Sequence, residues 1–361
     1  MKNILFYISG HGFGHSTRMI EVMNKLFSLD SQVSIYIRTS AAKGLFERNL
    51  PFRFYYSYFV GDVGIVQKDR LTLNELETLE KYADLIVGNK KDLLSQELNF
   101  VKRNGISLIV GDIPPLAFDI ADKAGVCGIA ISNFSWDWIY SPFVEAHLQY
   151  QYLLEAIKQD YAKADILLRL PFHGDMSAFR IVEDIPLIAR KSGVSREEIL
   201  HKLNVGEDEK RKVILLSFGG INPPRELFAK IKGCENYLFL SAAKLKKKST
   251  NMIILHKWNS FSYHDLVKAS DLVITKLGYG IVSECIANRT PIMYTSTDSR
   301  EYSVLLPAIK EYAHSYFIPR EDLLSGNWKA HLDKFFDTKY HWPTININGA
   351  EIAARKILEK M

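Results

Sequence analysis

The chain has little cysteine: three residues in 361, Cys127, Cys234 and Cys285, far apart and in no metal-ligand spacing. That scarcity argues against a disulfide framework or a thiolate metal site, and the apolar neighbours of each cysteine fit buried thiols in a reducing compartment. No apolar stretch approaches the ~20 residues needed to span a bilayer. The run Lys2 to Ser9 is not a signal peptide, because it is short and stops at a glycine loop rather than a cleavage site. The expected location is cytoplasmic. Charge of either sign is nearly balanced, 46 Lys+Arg against 41 Asp+Glu, for a net +5. The densest basic run, Lys244 to Lys248, lacks interleaved aromatics and any nucleic-acid module, so it reads as a solvated loop and no nucleic-acid partner is expected. Nothing supports a peripheral membrane contact, and the sequence is silent on oligomeric state. There is no Gly-Lys-Ser/Thr phosphate loop, no dinucleotide fingerprint, no internal repeat and no low-complexity stretch.

What is present is ordinary globular composition, 47% hydrophobic and 24% charged, at a length suited to two domains. In the first half Ile4 to Ile8 is a continuous apolar run, as expected of a strand buried on both faces. A glycine loop follows, then a helix from about Ser16 to Phe27 with Met19, Ile20, Val22, Met23 and Leu26 at helical spacing. Val33 to Ile37 is the next strand. An aromatic strand at Phe52 to Val60 leads into a loop, Gly61 to Asp69. A long helical region covers Asn74 to Asn104. Ser107 to Val110 and Gly128 to Ser132 are strands, with a helix between them ending near Gly125.

A second alternating unit starts near Lys212, with strands Val213 to Leu216, Tyr237 to Leu240, Met252 to Leu255, Leu272 to Ile274, Ile292 to Tyr294 and Tyr316 to Ile318. Ahead of it, Ser195-Arg-Glu-Glu198 has the form of a capping box, opening a helix to about Leu203. The charged segment Gly206 to Arg211 is the expected boundary, giving domains 1–205 and 206–345. The last helix, about Gly349 to Met361, is amphipathic. Two doubly wound α/β halves predict a cleft facing the carboxyl ends of both sheets.

Two motifs carry the chemistry. Gly10-His11-Gly12-Phe13-Gly14-His15 lies between the first strand and first helix. Its glycines let the backbone approach a ligand, and the helix N-terminus behind offers N–H groups and partial positive charge. Histidine, with an unperturbed pKa of about 6.5, suits removal of a proton from a hydroxyl. His15, at the mouth of the helix, is the expected base, and His11 orients the acceptor or shapes the loop. Zinc binding by the pair lacks a nearby third ligand, so no metal is expected.

The second motif is Lys276-Leu-Gly278-Tyr279-Gly280-Ile-Val-Ser283-Glu284, after a strand and leading into a helix. That helix N-terminus can hold a diphosphate. Lys276 can offset phosphate charge, and Glu284 can accept hydrogen bonds from vicinal ribose hydroxyls. An ordinary β–α turn with a surface glutamate is the plainer alternative. Ser217-Phe-Gly219-Gly220 is a further glycine turn, weak by itself. Asp112, followed by Pro114 and Pro115, and the run Asn133-Phe-Ser-Trp-Asp137-Trp138 both follow first-half strands. The latter suits sugar recognition, and equally a buried aromatic cluster with capping polar residues.

Together these pieces resemble the GT-B glycosyltransferase superfamily, including the bacterial cell-wall enzyme that adds N-acetylglucosamine to a lipid-linked muramyl pentapeptide. The resemblance implies a GT-B fold of two Rossmann-like domains, His15 in acceptor deprotonation and Glu284 on the ribose of the sugar nucleotide. It also implies a final helix, 346–361, that crosses back to the first domain. Over nearly the full chain the sequence is similar to the glycosyltransferase-like amino-terminal region of plant L-arabinokinases and to stand-alone bacterial relatives. The shared stretches are Gly10 to His15, Asp62-Val-Gly-Ile-Val-Gln67, Asn133 to Asp137, Lys276 to Gly280 with Val282-Ser-Glu284, and Asn348-Gly-Ala-Glu-Ile-Ala-Ala354. This likeness draws Asp62 and Gln67 to the acceptor side. The sugar-kinase domain of the plant proteins has no counterpart here, so sugar phosphorylation is not expected. Where the cell-wall family has Gln and Asn to read the donor sugar, this chain has Asp298-Ser-Arg-Glu301-Tyr302, which places Glu301 on the nucleotide-sugar side.

The expected activity is therefore metal-independent transfer of a sugar from a nucleotide diphosphate sugar, a UDP-sugar first, to a hydroxyl acceptor. His11, Gly12, Gly14, His15, Asp62, Gln67, Asp112, Asn133 and Asp137 would serve the acceptor. Gly219, Gly220, Lys276, Gly278, Tyr279, Gly280, Ser283, Glu284 and Glu301 would serve the donor. No cofactor is expected beyond the nucleotide sugar as co-substrate. A sugar-nucleotide epimerase or hydrolase, or a non-catalytic nucleotide-sugar sensor, are the alternatives.

Overall fold

Runs of buried β-branched and aromatic residues alternate with amphipathic helices along the whole chain, and the computed structural model resolves them into two parallel sheets. It describes residues 2–68, 72–218, 231, 233–242, 249–255 and 262–361. The chain divides into two units: Met1–Ala189 with Ser299–Val304 and Asn346–Met361, and Arg190–Asp298 with Leu305–Ile345. The charged segment 206–211 lies inside the second unit.

The first unit is built on strands β1 (Lys2–Ile8), β2 (Val33–Thr39), β3 (Tyr55–Tyr58), β4 (Leu108–Asp112), β5 (Cys127–Ser132), β6 (Ile166–Arg169) and β7 (Val182–Asp184). Their order is β3-β2-β1-β4-β5-β6-β7, every pair parallel. Beyond Lys2, β1 is buried at every position, as its continuous apolar run requires of a central strand with both faces covered. Strand order reverses between β1 and β4. In open α/β sheets a ligand crevice opens at such a switch point, beyond the carboxyl ends of the strands. The Gly10–His15 loop follows β1 and Asp112 ends β4, so both meet there.

Helix α1 (Gly14–Leu29) buries Met19, Ile20, Val22, Met23 and Leu26. Each such side chain contributes roughly 1.5–3 kcal/mol of burial. Packing therefore holds this helix, for no side chain caps its first turn. Helix α2 (Lys43–Asn49) precedes β3, and the long helical stretch expected over Asn74 to Asn104 divides into α3 (Glu75–Ala83), a π turn at Asp84–Asn89 containing Gly88, and α4 (Lys90–Arg103). Next come α5 (Leu116–Ala124), closed by left-handed Gly125, then α6 (Trp136–Ala146) and α7 (Gln151–Tyr161). The last helix of the chain, Gly349–Glu359, packs on α1. Its entry is fixed by backbone pairing of Asn348 with Ile188. A Cβ at Gly349 would fall 2.0 Å from the Pro186 carbonyl oxygen, so the Asn-Gly-Ala stretch admits no side chain there.

The second unit holds β8 (Lys212–Ser217), β9 (Tyr237–Ser241), β10 (Met252–Ile254), β11 (Leu272–Lys276), β12 (Ile292–Thr295) and β13 (Ser315–Phe317), all parallel in the order β10-β9-β8-β11-β12-β13. Order reverses at β8 and β11, which end in Ser217 and Lys276. Its core is Ile214, Phe239, Ile274, Met293, Trp328 and Leu332 with their neighbours. Helix α8 (Arg196–Lys202) starts as its sequence predicts, the Glu198 N–H donating to Ser195 Oγ at 3.1 Å. Helices α9 (Tyr263–Ala269) and α10 (Tyr279–Asn288) flank β11. Gly219, Gly220 and the basic run Lys244 to Lys248 lie outside the described residues. Among the described residues no helix is long and apolar enough to cross a membrane.

Candidate functional site

At the switch point of the first unit, His15 is the second residue of α1 and is buried. Its Nδ1 lies 2.8 Å from Asp112 Oδ1. Asp112 is fully buried, and burial alone would raise its pKa. The charges of Arg18 and His15 outweigh that penalty and hold the carboxyl below its ordinary value. Arg18, one turn after His15, forks onto Asp112: Nε donates to Oδ2 at 2.6 Å and a terminal N–H donates to Oδ1. The same guanidinium donates to Asn133 Oδ1 at 2.7 Å and to Ser132 Oγ at 3.1 Å. With Asp112 ionised, the tautomer that uses this contact carries its proton on Nδ1 and presents Nε2 as a hydrogen-bond acceptor.

Around this dyad the loop after β3 closes. Trp136 Nε1–H donates to Asp62 Oδ2 at 2.9 Å, and the Ser9 hydroxyl also bonds that carboxyl, whose pKa burial raises. The Ile65 N–H donates to His11 Nδ1 at 3.3 Å, and the His11 ring meets Trp136 edge-on at 5.8 Å. Gly64 has φ +66, and a Cβ there would stand 2.6 Å from His11 Nδ1, so the loop passes His11 only because this residue has no side chain. His11 thus shapes the loop. Gly12 takes a positive φ and Gly14 begins α1.

The structure brings together His11, His15, Asp62, Asp112 and Asn133. Gln67 is exposed and pairs through its backbone with Leu73. Asp137 lies on the first turn of α6, bonded to Ser135, with Oδ1 buried and unpartnered among the described residues. Burial raises its pKa. Glu301, read from the sequence with the donor, lies in the first unit, where Asn133 Nδ2–H donates to its Oε1 at 3.1 Å. The reason is a short return of the chain at 299–304, which no local pattern announces.

In the second unit Lys276 ends β11 and Gly278 precedes α10, whose first turn no side chain caps. Burial lowers the Lys276 pKa. Tyr279 is buried, Gly280 follows in the first turn, and Ser283 Oγ–H donates back to the Gly280 carbonyl at 2.9 Å. Glu284 is not a surface residue: it is buried and accepts from Arg190 Nε at 2.7 Å and from a terminal guanidinium N–H. Asn288 bonds the backbone of Arg190 and Ser192, and Ser192 Oγ–H donates to Asp265 at 2.6 Å, so two helices hold the segment that delivers the arginine. Among the described residues no group of three or more His, Cys, Asp or Glu side chains is set to hold a metal ion.

The sequence reading missed Arg18 and Arg190. Arg18 left a trace, a charge four residues before Val22 on the face α1 buries. Arg190 left none.

The fold is that of GT-B glycosyltransferases: the calicheamicin glycosyltransferase CalG4 superposes with a TM-score of 0.59 at 12% identity, over 99% of this chain and 95% of that one. Phytolacca americana UGT2, complexed with UDP-2fluoro-glucose and pterostilbene, gives 0.59 at 12% identity over 100% and 94%. A putative UDP-N-acetylglucosamine 2-epimerase from Listeria monocytogenes gives 0.57 at 12% identity over 99% and 95%. No protein-family model matches the chain. In sequence the chain is similar to L-arabinokinase of Arabidopsis thaliana, 32% identical over 365 residues that span 99% of this chain and 34% of that protein. The chain thus spans about a third of the length of that curated relative.

Proposed function

We propose that the protein is a glycosyltransferase that carries a sugar from a nucleotide diphosphate sugar, with UDP as the expected nucleotide, to a hydroxyl acceptor, without a metal ion. The observation that carries the reading is the buried His15–Asp112 contact of 2.8 Å, with Asp112 kept ionised by Arg18. Asp112 holds the Nδ1 proton, and Nε2 of His15 takes the acceptor's hydroxyl proton. The freed oxygen attacks the anomeric carbon, and the electron pair of the breaking glycosyl–phosphate bond leaves with the diphosphate. Lys276, Gly219, Gly220 and the uncapped first turn of α10, from Gly278 through Tyr279, Gly280 and Ser283, would meet that charge. Glu284, held by Arg190, would accept from the ribose. UDP-binding relatives of this fold support the assignment of the nucleotide.

A second reading, epimerisation or hydrolysis of the sugar nucleotide, is favoured by Glu301, a carboxylate one hydrogen bond from Asn133, which in turn bonds Arg18 beside His15. The epimerase of the same fold gives it weight. Calorimetry with UDP and a panel of UDP-sugars, followed by product analysis with hydroxyl acceptors, separates these readings from a silent sensor. His15→Ala is expected to cut turnover by roughly 10²–10⁴-fold while leaving UDP affinity intact. Unchanged turnover would reject the base.

A further inference from the structure

Hydrogen bonds run without a break from Glu301 to His15. Asn133 Nδ2–H donates to Glu301 Oε1 at 3.1 Å, and Asn133 Oδ1 accepts from Arg18 at 2.7 Å. Arg18 forks onto Asp112, and Asp112 Oδ1 lies 2.8 Å from His15 Nδ1. An amide has one acceptor end and one donor end. A carboxylate at Glu301 accepts and cannot donate, so it dictates that the oxygen of Asn133 faces Arg18. Were that amide turned over, two donors would confront each other at a buried arginine.

The position of Glu301 is itself held. Arg300, the preceding residue, donates to the Trp138 carbonyl and to Ser141 Oγ, and its guanidinium lies 4.8 Å from the centre of the Trp138 ring. The charges that face His15 are Arg18 from its own helix, Asp112 from the end of β4 and Asp62 from the loop after β3. Arg18 and Asp112 cancel. When His15 takes a proton, a buried positive charge appears, and Glu301 adds a negative charge at the far end of the chain of bonds.

We propose that Glu301 is a positioning residue for His15, fixing the Asn133–Arg18–Asp112 chain that orients the imidazole and countering its charge when protonated. The proposal rests on His15 as the base of the reaction above, but its test needs no turnover. In protein labelled at histidine, the His15 imidazole resonance, identified by its loss in His15→Gln, is titrated by NMR. Glu301→Gln keeps an acceptor for Asn133 and removes the charge, so the His15 midpoint is expected to fall by roughly half a pH unit. Glu301→Ala, which removes the acceptor as well, is expected to shift it at least as far and to broaden the resonance. Midpoints within about 0.1 unit of wild type in both variants would overturn the proposal. So would a Glu301→Gln protein with an unmoved His15 midpoint, unchanged UDP affinity and weakened UDP-glucose affinity, which would make Glu301 a donor-sugar ligand. If wild type binds no nucleotide, the transferase reading fails while the titration still reports on Glu301.

Discussion

Each unit buries a carboxylate against an arginine at the switch point of its sheet, and the surroundings of the two differ in one respect. Asp112 shares its oxygens between Arg18 and His15. Glu284 takes Arg190, and the titratable side chains near it are set away from neutrality. Burial raises the Tyr263 hydroxyl, and burial together with Arg190 drives the pKa of His264 down to about 4. Near pH 7 Tyr263 and His264 thus both stay uncharged beside the Glu284–Arg190 pair, a setting suited to holding a ligand. The first site contains an imidazole beside an ionised carboxylate, the combination that moves protons.

The comparison breaks hardest where an arginine is removed. Arg18→Met leaves Asp112 buried with His15 as its remaining charged partner, and is expected to cost about 3–5 kcal/mol in urea unfolding. Arg190→Met is expected to fall at the low end of that range, because Glu284 is 4% exposed where Asp112 is 0%. The two variants should also part in binding: Arg190→Met weakens UDP in calorimetry and Arg18→Met does not. Equal loss of UDP affinity in both would erase the proposed division of labour.

A smaller effect is expected at the loop beside the first site. Gly64→Ala places a methyl on the His11 ring at a positive φ, at a cost of roughly 1–3 kcal/mol. His11 must move, and with it the Ile65 N–H bond. Proton–deuterium exchange at Ile65 reads this directly: faster exchange is expected in Gly64→Ala, and unchanged protection would show that the loop does not depend on His11.

Much of this was legible in the sequence, for reasons that also mark the limit. Central strands such as β1 announce themselves because both faces are buried. The edge strand β7 escapes, being three residues with its first and last exposed, and β6 is only four residues long. Helix α6 is hidden by its aromatic run and by Pro142. The glycine motifs locate His15 and Glu284 because a turn between strand and helix needs local residues. Their arginines are not local: Arg18 meets Asp112 across 94 positions and Asn133 across 115, and Arg190 meets Glu284 across 94. Such pairs follow from the strand order, which β–α alternation leaves open.

The smallest expected effect lies within the first site, where two carboxylates titrate in opposite senses. The folded pKa of Asp112 is lowered, because Arg18 and His15 outweigh its burial. Its contribution is present above the unfolded value near ~3.9 and is lost as pH falls through the lower folded value. Asp62 is raised by burial, so its contribution is complete below the unfolded value and is lost as pH rises through the higher folded one. Urea midpoints followed from acid to neutral pH should therefore include a loss toward acid from Asp112 and an opposing contribution at higher pH from Asp62. Asp62→Asn keeps an acceptor for Trp136 Nε1–H and removes the charge, so it should reduce the opposing slope and leave the acid loss unchanged. A variant profile that parallels wild type throughout would mean that Asp62 titrates alike in both states, and that the dyad's surroundings impose no cost on its charge.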